Sequence, residues 1–290
     1  VRIAVVGATH PFKGGVAAHT TQTAHRLAAA GHQVDLVSWS RLYPARLYPG
    51  QQVVPDGAAD LPPFTPTRYP LRWDRPGTWW RTGAGLRDHD LVLLAMVTPV
   101  QVPALRVLAR AARRRRGGPR IVAIAHNVAP HEAFPGGARL MAAALRAADG
   151  VLVHAAEQER LARGLGLRRV CLRELPAHLP GGVPSPQQRA AAVQARHRSR
   201  PPVRLLAFGL VRHYKGVDLL MEAMREVPEV TLTVVGEQWG QAGDRVRQLA
   251  ADPDLRDRVV LRPGYLPANR TAALLAEHDV LTLTYRTATA

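Results

Sequence analysis

The sequence predicts an α/β protein of two similar halves, each an open parallel sheet flanked by helices. Three observations predict this. Apolar runs of strand length alternate with stretches of helical spacing along nearly the whole chain. Short glycine-bearing loops join strands to helices. A proline-rich polar stretch, PAHLPGGVPSPQQRAAAVQARHRSRPP, separates the two series as linkers do. The expected division is residues 1–175, a linker at 176–202 and a second half at 203–290.

RIAVVGA reads as a buried strand and THPFKGG as a loop. VAAHTTQTAHRLAAAG has helical spacing and stops at Gly31, and HQVDLVSW returns as a strand, completing a βαβ unit. Residues 41–72, rich in Pro, Tyr and Gly, are expected to be irregular, with a strand near Gln52–Val54. HDLVLLAMV follows as a strand, PVQVPALRVLARAARRRR as a helix and PRIVAIAHN as a strand. GGARLMAAALRAADG (helix), VLVHAA (strand), AEQERLARGLG (helix) and RRVCLREL (strand) close the first half. The second half runs VRLLAFGL, KGVDLLMEAMREV, VTLTVVGE, AGDRVRQLAADPDL, RVVLRPGYL, ANRTAALLAEH and DVLTLTY, again strand and helix in turn. It stops just after a strand, and the chain begins with Val, so the second half is expected to be incomplete. Two such halves would place a cleft at the carboxyl ends of their sheets, where ligands of open α/β sheets bind.

With 290 residues, 47% of them hydrophobic, two ordinary cores are affordable. No apolar run reaches the length of a membrane-spanning helix, and no basic segment precedes an apolar one at the N-terminus. One cysteine, Cys171, excludes an internal disulfide and a cysteine metal cluster, which points to the cytoplasm. The net charge of +17 favours anionic partners. Arginine is spread over the whole chain, and no zinc-finger spacing, RNP-like aromatic pattern or compact basic helix-turn-helix is present, so no nucleic-acid partner is expected.

The chain carries 37 arginines and two lysines, and both lysines fall in glycine-bearing loops after apolar strands. PFKGGVAAHT places Gly14 and Gly15 at a helix start, where backbone N–H groups can approach an anion. A tight turn would account for the same letters. It matches neither a dinucleotide fingerprint nor a P-loop. GLVRHYKGVD places Arg212 and Lys215 three apart before a helix carrying Asp218 in its first turn. A bidentate arginine and a compact ammonium suit a diphosphate; a solvated pair of surface cations would account for the same letters, though not for the use of lysine. In IAHNVAPHE, His126 stands directly after a strand, with His131 and Glu132 in the loop beyond. These do not share a helical face and are too few for a structural zinc site, so no metal is expected; a buried, hydrogen-bonded structural histidine would account for His126 as well.

The pieces GG, IAHN with PHE, FGLVRHYKGVDLLMEAM, LTVVGE, VVLRPGYLP and AEHDVLTLTYRTAT occur in order over nearly all of the chain. In this the chain resembles the retaining, nucleotide-sugar-dependent glycosyltransferases of family 4, which have the GT-B fold of two Rossmann-like domains. The resemblance implies that Arg212 and Lys215 bind the donor diphosphate and that Gly14 and Gly15 approach it. It implies that His126 lies beside the donor sugar as the catalytic candidate, and that Gly236, Glu237, Tyr265 and Leu266 contact nucleotide or donor sugar. It further implies a nucleoside-diphosphate sugar as co-substrate, no cofactor and no metal, and a glycan or lipid-linked acceptor bound by the first half. Many relatives carry P-S-x-x-E, opening a pair of glutamates. Here Thr284 stands at the proline position and Ala288 at the first glutamate, as in branches with a Tyr-Arg-Ser/Thr-Ala-Thr segment.

RWDRPGTWWRTG and the cluster of Arg110 with Arg113–Arg116 could dock on an anionic membrane surface, a peripheral role at the inner face. Equally, Trp79 and Trp80 could be partly core and the arginines a solvated helix end. A GT-B epimerase and a non-catalytic nucleotide-sugar binding protein are the competing functional classes.

Overall fold

A computed structural model describes residues 1–290 apart from 45, 46, 49, 56–60, 114–116, 131–134, 176–184, 188, 189, 191–193, 195–201 and 287–290. The chain forms two compact units. The first is built on β1 (Arg2–Val6), β2 (Gln33–Arg41), β3 (Thr67–Arg72), β4 (Leu91–Met96), β5 (Arg120–Ala125), β6 (Gly150–Val153) and β7 (Val170–Leu172). These lie in the order β3-β2-β1-β4-β5-β6-β7, with every pairing parallel. Along β1, Ala4 and Val6 join one buried cluster with Trp39, Met96, Leu108 and Met141, while Ile3 and Val5 join another with Leu36 and Phe64. Both faces of the sheet are therefore covered, which is why its central strand is an unbroken apolar run.

The helices of this unit are α1 (Gly15–Ala29), α2 (Pro76–Ala84), α3 (Val102–Ala112), α4 (Gly137–Arg146) and α5 (Ala156–Gly164). Two elements go beyond the sequence expectation. TRYPLR, inside the stretch expected to be irregular, forms β3, an edge strand, where a proline can be accommodated. PGTWWRTGA forms α2, which packs on α3; a Cβ on Gly83 would lie 2.2 Å from the carbonyl oxygen of Leu108. The glycine that weakens the helical signal is the one that permits the packing. Near Gln52–Val54 there is only a bridge between Phe12 and Val53. The helix expected from Pro99 opens as a 3-10 turn and α3 ends at Ala112.

The second unit carries β8 (Val203–Phe208), β9 (Val230–Val235), β10 (Val259–Arg262) and β11 (Val280–Leu281), ordered β10-β9-β8-β11 and parallel throughout. Its helices are α6 (Val217–Ala223), α7 (Gly240–Ala250) and α8 (Ala268–Ala276). Ala207, Met221, Leu232, Val234, Val246 and Leu249 form a core on one face, and Leu206, Val235 and Leu274 one on the other. The last strand is two residues long rather than the seven of DVLTLTY. In each sheet the strand order reverses, at β1/β4 and at β8/β11. Such switch points are where open α/β sheets bind ligands.

Candidate functional site

In the second unit, β8 runs into Gly209, whose φ of +103° is a left-handed conformation that glycine takes freely. The Gly209 N–H donates to Val235 O (2.9 Å) and the Val211 N–H to Glu237 O (2.8 Å), so pairing with the β9 segment continues beyond the strand ends. This draws the backbone at Gly236 against Gly209: a Cβ on Gly236 would lie 2.1 Å from the Gly209 carbonyl oxygen. Arg212 is extended, His213–Lys215 form one 3-10 turn, and Gly216, at φ +62°, turns the chain into α6.

That turn folds Lys215 back over the end of β8. Its Nζ lies 2.9 Å from where a Gly209 Cβ would stand, in a recess lined by Phe208, Val211, Val217, Val234 and Thr284. Burial pushes the Lys215 ammonium below the ordinary lysine pKa. The Tyr285 ring centroid is 5.8 Å from Nζ, and Arg212 Cζ is 5.5 Å from the Trp239 ring, both within cation–π range. The recess favours the slim, apolar stem of a lysine over a planar guanidinium, a physical reason for the rare residue here.

The segment after β11 locks this loop. Thr284 Oγ1 donates to Lys215 O (3.1 Å) and Gly216 O (3.0 Å), and a Cβ on Gly216 would meet Thr284 O at 2.1 Å. The Arg286 N–H donates to Tyr214 O at 2.7 Å, and its guanidinium holds Asp218 in a bidentate pair. Beyond β10, Gly264 has φ +112°; Tyr265 follows half-buried and Leu266 packs against Leu206, Val235 and Leu274. Three adjacent strands thus end in a glycine of positive φ, at 209, 236 and 264.

In the first unit, Gly14 (φ +100°) precedes α1, both Gly14 and Gly15 are exposed, and a Cβ on either would meet nothing. No side chain caps the helix start, so its first N–H groups are available to an anion. His126 follows β5, its N–H donating to Met96 O at 3.0 Å. Gln158 of α5 accepts from the Val128 N–H at 2.7 Å and so braces the loop carrying His126. His19 of α1 and His154, which follows β6, stand against it: ring centroids are 5.0 Å apart for His19–His126, 4.8 Å for His19–His154 and 5.3 Å for His126–His154. Burial, then repulsion from His19 and His154, pushes the His126 pKa down to about 3, so its ring is neutral at ordinary pH.

Arg212, Lys215, Gly236, Glu237, Tyr265 and Leu266 gather at the carboxyl edge of the second sheet, and Gly14, Gly15 and His126 at that of the first. His131, Glu132, Arg114–Arg116 and Ala288 lie outside the described residues. Sequence reasoning missed Trp239, Tyr285 and Arg286 around the Lys215 loop, and the pair His19 and His154. The last two carried a legible signal: His154 is the first residue after a strand, as His126 is, and His19 lies one turn into the helix after Gly14-Gly15. Of the arginine cluster, Arg113 bonds Asp149 (2.7 Å) and Ala147 O (2.6 Å), while Arg110 is exposed. Trp79 packs against the core and donates to Arg72 O at 2.6 Å, whereas Trp80 is exposed.

Among solved structures the chain is similar to sucrose-phosphate synthase from Thermosynechococcus elongatus, at TM-score 0.70 and 16% identity over 100% of this chain and 77% of that one. It is similar to HepE of Anabaena in complex with UDP, at TM-score 0.69 and 16% identity, covering 100% of this chain and 75% of that one. A third is the lipopolysaccharide outer core galactosyltransferase WaaB, at TM-score 0.62 and 14% identity over 98% and 74%. No curated protein matches the chain by sequence. Residues 13–176 match the family model Glycosyltransferase Family 4. That match spans more than half of the chain and takes in Gly14, Gly15 and His126; with two Rossmann-like units of the GT-B class, the chain belongs to glycosyltransferase family 4.

Proposed function

We propose that this chain binds a nucleoside-diphosphate sugar and transfers the sugar, with retention of configuration, to a glycan or lipid-linked acceptor. The observation that carries the reading is the loop after β8, which sets Arg212 and Lys215 together at a switch point of the sheet. HepE has been solved with UDP-glucose, which supports a uridine-diphosphate hexose as the donor class.

In the transfer, the bond from the anomeric carbon to the diphosphate oxygen breaks and its electron pair leaves with the diphosphate. The acceptor hydroxyl oxygen bonds to the same carbon, and its proton passes to a departing phosphate oxygen, a same-face route. Negative charge therefore grows on the diphosphate, and Arg212 and Lys215 are fixed cations placed to meet it, so the step needs no metal. The N–H groups at Gly14 and Gly15 suit an anionic group such as a phosphate, and the neutral His126 imidazole suits a hydrogen bond with a sugar hydroxyl. Gly236, Glu237, Tyr265 and Leu266 would complete the nucleotide and sugar contacts.

For the acceptor side, Trp73, Arg75, Trp80 and Arg81 are exposed in and beside α2, and suit an anionic membrane surface bearing a lipid-linked acceptor. No described helix is long and apolar enough to cross a membrane. The transfer reading is tested with a panel of nucleoside-diphosphate sugars and Lys215→Ala. Donor-dependent sugar release that falls at least about tenfold in the variant supports it; normal transfer by the variant contradicts it.

A further inference from the structure

We propose that His19, His126 and His154 form a binding site for a divalent transition-metal ion of the zinc class. The three come from α1, the end of β5 and the end of β6, and one ring nitrogen of each lies within 4.8 Å of the others. A tetrahedral zinc with bonds of about 2.0–2.1 Å needs nitrogens roughly 3.4 Å apart, which small side-chain rotations reach from here. The site lies wholly within the first unit and shares His126 with the donor reading given above, but it is argued from the three rings alone and is read by metal binding, not by sugar transfer.

One of the rings already presents a directed lone pair. His154 Nδ1 lies 2.8 Å from Arg173 O, and a carbonyl can only accept, so the proton is on Nδ1 and Nε2 carries the lone pair. That Nε2 and His126 Nε2 are both buried, with no hydrogen-bond partner among the described residues. A backbone carbonyl holding the far nitrogen is the usual support of a metal-bound imidazole. Among the described residues the group holds no carboxylate, and an all-imidazole set selects zinc, cobalt, nickel or copper over magnesium or calcium. Three protein ligands leave a fourth position for water or another small donor.

Protein dialysed against a chelator is titrated with Co2+ and Zn2+, with Mg2+ as control. The expected result is one ion per chain, a tetrahedral Co2+ absorption band displaced by Zn2+, and no effect of Mg2+. His154→Gln and His19→Gln should each weaken binding by at least about tenfold, while His32→Gln, outside the group, should leave it unchanged. Nitrogen-15 histidine spectra of the unaltered protein provide a readout that does not depend on any variant folding: Zn2+ should shift three imidazoles and leave the others in place. Absence of stoichiometric binding, shifts spread over histidines outside the group, or a folded His154→Gln that binds like the unaltered protein would overturn the site. Each of these results would leave the three rings as ring-to-ring packing only.

Discussion

Arg286 holds both carboxylate oxygens of Asp218, at 3.0 and 2.7 Å, and so occupies the acidic side chain in the first turn of α6. Unpaired, that carboxylate would oppose an anion drawn to Arg212 and Lys215. Arg286→Ala should therefore weaken nucleoside-diphosphate binding by about tenfold, the scale of one charge-assisted contact. Adding Asp218→Asn should restore part of the loss, since the repelling charge goes as well. Titration calorimetry on the two variants checks this; an unaltered affinity in Arg286→Ala would contradict it.

The glycines divide into two kinds. Gly216 and Gly236 combine positive φ with backbone oxygens 2.1 Å from a notional Cβ, so alanine at either should destabilise the second unit by more than about 2 kcal/mol. Gly14 has open space around it, but its φ of +100° and ψ of 167° lie in a region that glycine alone adopts readily, so Gly14→Ala should cost about 1–3 kcal/mol through the backbone alone. Thermal melts measure each loss. On the proposed function, Gly14→Ala should lower sugar transfer more than its loss of stability explains.

The folded His126 pKa of about 3 lies below the ordinary histidine value of 6.5, so the unfolded chain takes up the proton first as pH falls. The stabilisation from its neutral form is complete above about pH 6.5 and lost progressively toward pH 3. The slope approaches about 1.4 kcal/mol per pH unit within that window. Metal-free protein should melt at lower temperature at pH 5 than at pH 7, and His126→Gln should flatten the difference. His19 and His154 face the ring and are left in place in that comparison.

Much of this was legible in the sequence where one residue type did one job. The apolar run RIAVV gave β1, and the loops PFKGG and RHYKG marked the switch-point ends of β1 and β8. What was not legible arose from tertiary context. β3 hid behind Pro70, which an edge strand tolerates, and α2 behind Gly83, which the contact with α3 requires. Trp239 and Tyr285 are distant in sequence from the cations they flank, and only the parallel order β10-β9-β8-β11 brings their loops together. Each of the three histidines has its own signal, at a strand end or one turn into a helix, but they come from separate elements and no spacing in the sequence joins them.

The exposed aromatic and basic side chains in and beside α2 make a separate prediction. Co-sedimentation with vesicles containing anionic lipid should fall when Trp80 and Arg81 are both changed to alanine, and added salt should weaken binding of the unaltered chain. Equal binding by both proteins would remove the membrane from the acceptor reading.

The central claim is that Lys215 and Arg212 hold the donor diphosphate. Its most direct test is calorimetric titration of UDP into the unaltered chain and into Lys215→Met, which keeps the stem in its recess and removes only the charge. Affinity should fall about tenfold to a hundredfold in the variant, with an unchanged melting temperature. A folded Lys215→Met that binds UDP as tightly as the unaltered chain would contradict it.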